Sequence, residues 1–147
     1  MLEKTEMSQS FDALVGRVAS REGWQRLRTA AGMVAAWNSF VGQCENGYDM
    51  NIYEYENDRA VRGMIESLFV DAEIYRHPRF PEFRRQVEAI DARLKTLFEP
   101  SIVIAGDDRP WWERGVPRFA GPELALDFND MFGVSISAVE DGTKPGQ

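Results

Sequence analysis

The stretch PEFRRQVEAIDARLKTLF, residues 81–98, decides the fold class. Phe83, Val87, Ile90, Leu94, Leu97 and Phe98 recur at helical spacing and form one apolar face. Pro81 suits the first helical position, and Pro100 ends the run. A strand alternates its faces every second residue, so this pattern specifies a helix. Asp91 lies on the line through Val87, Leu94 and Phe98, which points a carboxylate toward a core. On the outer face Arg84 and Glu88 are four apart, as are Asp91 and Lys95, the latter in the favoured order.

Working toward the N-terminus, three further segments carry the same period. Phe11, Leu14, Val15, Val18 and Ala19 form one stripe, with Ser8 or Ser10 as N-cap. A second helix is expected over residues 22–44, capped by Ser20. Its stripe is Trp24, Leu27, Ala30, Met33, Val34, Trp37, Phe40, Val41 and Cys44, and Asn46-Gly47 follows as a turn. Ala31, Gly32, Ala35 and Ala36 interleave and would let another helix approach closely. A third helix carries Val61, Met64, Ile65, Leu68, Phe69 and Ala72 on one face. It breaks in the segment 76–81, because proline excludes helix at the residue before it.

Beyond Pro100 the residues 101–105 (SIVIA) and 134–139 (VSISAV) read as short strands, which could lie side by side. Between them come a Gly-Asp-Asp-Arg-Pro loop, the pair Trp111-Trp112, and a short helix from Pro122 through Met131 with Gly133 as its stop. The chain therefore reads as mainly α: a single-domain bundle of about four main helices plus a short C-terminal helix. Residues 1–139 form the domain, and 140–147 read as a disordered tail.

The chain has 147 residues, enough to bury a core without disulfides or metal, and its net charge is −7. A protein of pI near 4.8 repels a phosphate backbone at long range, which argues against direct nucleic-acid binding. The charge is uneven: residues 49–75 carry net −5, 76–98 net +3 and 99–147 net −5. These blocks could neutralise one another in the fold or face outward separately. Of 17 basic residues 14 are arginine, which favours forked ion pairs. A single cysteine and a start without an apolar h-region point to a reducing cytoplasm. No apolar run approaches the length of a membrane span.

No motif specifies a reaction. One Cys and one His in unrelated segments cannot make a zinc site, and neither a calcium loop nor a di-iron pattern occurs, so no metal and no cofactor is expected. Cys44 reads as a small core residue and His77, before a proline, as a turn residue. Asp107 and Asp108 could flank a groove, although pairing with Arg109 and solvent is the favoured reading. Trp111 and Trp112 point to different sides. One packs inward while the other meets a partner or covers a groove, or else both pin a loop over the bundle.

The remaining candidate is MNIYEYENDRAVRGMIE, residues 50–66. If a helix runs on from Asn51, whose N-x-x-E pattern with Glu54 is a capping box, Asn57 falls on the core-facing line with Asp58 and Arg62 at its margin. Asp58 with Arg62, and Arg62 with Glu66, are i, i+4 pairs. Asp91 could meet Arg59 or Arg62 inside, forming a buried polar network of Asn57, Asp58, Arg62 and Asp91. The alternative makes Asn57 itself the N-cap, with residues 53–56 as a preceding loop.

Function follows from size, acidity and aromatics beside charge. The preferred reading is a cytoplasmic protein-binding module without catalytic residues, meeting a basic protein through Tyr53, Glu54, Tyr55, Glu56, Asp58, Trp111 and Trp112. In size and charge the chain resembles the small immunity proteins with which bacteria block a toxin, often a basic nuclease. No family motif accompanies that likeness. The alternative is an enzyme or small-ligand-binding protein with a polar pocket around Asp58, Arg62 and Asp91. A homodimer through the small-residue face of the second helix is compatible with either.

Overall fold

The computed structural model describes residues 10–139, and the tail expected over 140–147 lies outside them. In chain order the elements are α1 (Phe11–Glu22), α2 (Ala30–Glu45), α3 (Ile52–Arg59), α4 (Val61–Phe69), α5 (Ala72–Tyr75), α6 (Phe80–Leu97), α7 (Trp111–Arg114), β1 (Phe119–Ala120), α8 (Pro122–Phe132) and β2 (Ser137–Ala138). The protein is mainly helical, as residues 81–98 imply.

α2 lies along α6, and α3 and α4 pack across α2. α1 packs beside α2 and α5, while α8 packs on α3. The apolar faces of these helices close one continuous core. At its centre Trp37 stacks on Phe40, and Phe40, Tyr48, Tyr55 and Phe128 follow with ring centroids 5.2 to 5.7 Å apart. Phe11, Phe69, Phe80 and Phe83 make a second aromatic group, between α1, α4 and α6.

Local chemistry sets the helix ends. Ser10 caps α1 by accepting from the Ala13 N–H at 2.9 Å. α1 stops at Gly23, whose φ of 77° places it in the left-handed region and lets Trp24 bond back to Ala19. The second helix consequently starts later than its apolar spacing suggests. Residues 23–29 form a connection, and Thr29, not Ser20, is the cap, accepting from the Gly32 N–H. Arg28 pins this connection by donating to the Trp24 carbonyl at 2.6 Å and the Ser20 hydroxyl at 2.7 Å. Ala31 and Ala35 are exposed, whereas Ala36 packs against the core, so only part of that small-residue face is covered.

The third expected helix is split by a bend at Ala60 and by Asp71. Asp71 caps α5 by accepting from the Glu73 and Ile74 N–H groups, and it pairs with Arg17 of α1 at 2.9 Å. Burial pushes the Asp71 carboxyl up, but the Ile74 N–H and Arg17 outweigh it and hold its pKa below the ordinary value. A depressed carboxyl contributes stability that is present above the unfolded-state pKa and is lost as pH falls through the folded one. Asp71→Asn keeps the capping acceptor but loses the charge. It is expected to be less stable than wild type at pH 7, with the gap in urea midpoint closing below about pH 4. A gap independent of pH would contradict this origin.

After α6 the chain is irregular. Residues 101–105 are not a strand: the Ile102 N–H turns back to Glu99, and that of Ile104 reaches the Arg114 carbonyl. The strand expected within 134–139 is present as β2, but its parallel partner is β1, with Phe119 opposite Ser137 and Ala120 opposite Ala138. α8 starts with Pro122 in its first turn and ends at Gly133, φ 64°. Among the described residues no helix is long and apolar enough to cross a membrane.

Candidate functional site

Arg62 from α4 and Asp91 from α6 meet inside. Arg62 Nε donates to Asp91 Oδ1 and Nη2 to Oδ2, both at 2.9 Å, a forked two-bond pair. Arg62 Nη1 reaches Glu66 at 3.0 Å, and the Trp37 indole N–H donates to Asp91 Oδ1 at 2.9 Å. The Trp112 ring lies 4.5 Å from the guanidinium carbon and the Phe69 ring 5.3 Å. Arg62 is 4% exposed and Asp91 5%. Both carboxylate oxygens accept N–H groups, so the pair offers no free base.

The polar network expected here is therefore smaller and differently connected. Asn57 is exposed, and Asp58 is half-buried and does not pair with Arg62. The bend at Ala60 is the reason: the inward line from Arg62 runs back through Asp58 to Tyr55, not from Val61 to Asn57. Asp58 Oδ2 instead accepts the Tyr48 hydroxyl at 2.6 Å. Burial first, then the hydrogen bond and charge of Asp58, push the Tyr48 phenol well above its ordinary pKa, so it stays a donor. Asp91 and Lys95 do not pair, since Asp91 faces the core. Lys95 lies over the Trp111 ring at 4.6 Å.

The start of α3 is the capping box, not a cap at Asn57. Asn51 Oδ1 accepts the Glu54 N–H at 3.0 Å, and Asp127 of α8 accepts the Ile52 N–H at 3.0 Å. Ile52 and Tyr55 face the core, and Tyr53, Glu54, Glu56 and Asn57 face outward. Tyr55 is fully buried and so leaves the expected partner surface; Tyr53 is 72% exposed. Burial pushes the Tyr55 phenol up. The Arg59 guanidinium, 5.4 Å from the ring centroid, is a charged group that acts on its hydroxyl, without a hydrogen bond of good geometry. Tyr55→Phe should therefore change stability by no more than about 1 kcal/mol, the net worth of an ordinary hydrogen bond. A loss above about 1 kcal/mol in urea denaturation would show that the contact with Arg59 is a strong one.

Trp112 is buried and Trp111 half-buried, stacked edge-on at 5.7 Å, so the pair pins the 99–118 excursion onto the bundle. Trp112 belongs to the Arg62 site rather than to a free surface. Asp107 pairs with Arg114 at 3.1 Å, whereas Arg109 goes to Glu113. His77 sits in the turn before α6, where Nδ1 accepts the Arg79 N–H. Cys44 is buried, which pushes its thiol up and keeps it protonated. No group of three His, Cys, Asp or Glu side chains among the described residues could hold a metal ion.

Several contributors to the site are not legible in the sequence. Trp37 counted as a core aromatic, although a buried indole N–H requires an acceptor, which was the available signal. Tyr48 and Asp127 carried no spacing signal toward Asp58 and α3. A groove of about 550 Å3, lined by residues of the 23–29 connection, α2, α3 and α4, was likewise invisible. Asp58 lies on its wall, and neither Arg62 nor Asp91 does. Comparison with protein-family models, characterised proteins and solved structures yields no match to this chain.

Proposed function

We propose that the chain is a protein-binding module that meets a basic partner through the outward face of α3. The observation that carries this reading is Tyr53, 72% exposed, on the same outward face as Glu54 and Glu56 of a helix anchored by its other face. Among the described residues no ion pair holds either glutamate, whereas in the basic block Arg84 pairs with Glu88 and Arg85 with Glu82. The acidic character continues onto α8, since residues 119–139 hold three acids and no base. A rigid aromatic inside a field of one sign supports recognition of a surface of opposite sign.

In its most concrete form this is an immunity-type protein that neutralises a basic toxin in the cytoplasm. The Arg62–Asp91 pair serves the rigidity of the module rather than a reaction, since its polar atoms are occupied from within.

Capture from a lysate of the native host, compared between wild type and Glu54→Lys/Glu56→Lys, tests the reading. A basic protein retained by wild type at low salt should be lost from the variant, with both baits equally folded by circular dichroism. Equal capture by the two would refute the proposed surface.

A further inference from the structure

We propose that the groove beside Asp58 receives an arginine side chain of the basic partner, with Asp58 as its counter-ion. This rests on the partner-binding reading above and names the anchor within it. The groove, of about 550 Å3, lies between the 23–29 connection, α2 and the α3–α4 junction. Its apolar wall is Trp24, Leu27, Phe40, Val61 and Met64. No hydrogen bond ties the side chains of Ser39, Gln43 or Asn57, also lining it, to any described residue. Convergent unpaired polar groups over an apolar floor mark a binding site.

Asp58 supplies the charge. Tyr48, 1% exposed, occupies Oδ2 and fixes the carboxylate, while Oδ1 has no donor among the described residues. Glu54, one turn earlier on α3, is close enough for its negative charge to act on the Tyr48 hydroxyl beside Asp58. Arg26, the other charged residue of the lining, is exposed and makes no ion pair with a described residue.

The wall is also preformed. Leu27 has φ 57°, a left-handed conformation that costs a non-glycine residue energy and persists only where its surroundings hold it. Arg28 supplies that hold through Trp24 and Ser20. Arginine fits the lining better than lysine. Its stem can lie on Leu27, Val61 and Met64, and its planar head can stack on an aromatic ring while forking to a carboxylate and amide oxygens. The protein already holds its own Arg62 by this combination, with Asp91, Trp112 and Phe69.

The test has two arms. In the first, the full 15N-labelled chain is titrated with N-acetyl-arginine amide, with N-acetyl-norleucine amide as the apolar control. Saturable shifts are expected at the Trp24 indole and the Gln43 and Asn57 side-chain amides, with a dissociation constant of about 1 mM. Asp58→Asn keeps an acceptor for Tyr48, so it should give a native spectrum yet bind at least about tenfold more weakly. Equal shifts from the norleucine amide, or undiminished binding by Asp58→Asn, would overturn the proposal. In the second arm, Asp58→Asn should weaken the captured partner's association. If the arginine probe binds but partner capture ignores Asp58→Asn, the groove takes a free guanidinium compound and the proposed occupant is wrong. If capture depends on Glu54 and Glu56 while the probe fails to bind, the surface reading survives and the anchor does not.

Discussion

Asp91→Ala is expected to destabilise the protein by about 3–5 kcal/mol, seen as a fall of about 2 M in the urea midpoint. The variant leaves a guanidinium that is 4% exposed with Glu66 as its only remaining carboxylate among the described residues, and it strips the Trp37 indole N–H of its acceptor. The cost is the stranding of buried charge, not the net worth of the pair. Arg62→Met/Asp91→Leu removes both charges at similar volume and should therefore recover most of the loss. Asp91→Asn, which keeps an acceptor for Trp37, should fall between them. A double variant less stable than Asp91→Ala would mean that the pair itself stabilises the fold.

Trp37→Ala should cost a similar amount, about 3–5 kcal/mol, through a different mechanism. Trp37 is fully buried, stacks on Phe40 at 5.4 Å with an 11° interplanar angle, and sits where α2 crosses α6. Truncation opens a cavity at that crossing and removes one of three N–H groups on Asp91. Trp37→Phe keeps most of the packing, and Arg62 still satisfies both carboxylate oxygens, so its cost should be about 1–2 kcal/mol. If Phe and Ala cost the same, the indole N–H would outweigh the packing.

The two variants probe residues of unequal legibility. Asp91 stood out because a carboxylate on the line of Val87 and Leu94 has no reason to be there unless a cation meets it. Arg62 was one of the two cations offered. Trp37 was hidden by its own apolarity. Register errors account for Asn57 and Tyr55: projecting the stripe of α4 through Ala60 assumes a straight helix, and the bend there places Tyr55 inside and Asn57 outside. The late start of α2 has a similar cause. Trp24 and Leu27 sit at helical spacing from Ala30, but Gly23 in the left-handed region and the Thr29 cap override periodicity. Residues 101–105 show the converse, since β-branched composition makes no strand without a partner. The chain returns there as Arg114 instead, giving one backbone bond.

The exposed face of α3 is only partly legible in the sequence. Its acidity is in the composition, while the orientation that leaves Tyr53, Glu54 and Glu56 together and removes Tyr55 comes from Ile52 and Tyr55 docking on the core. Asp127 fixes the same helix at its first N–H. That rigidity gives the proposed binding face a defined shape.

The most direct measurement is the association rate constant of the captured partner with wild type and with Glu54→Lys/Glu56→Lys, across ionic strength. At low salt the variant should associate at least about tenfold more slowly. The two rates should converge as salt rises toward about 1 M, where screening removes steering. Equal rates and equal salt dependence for the two proteins would contradict recognition through the acidic face of α3.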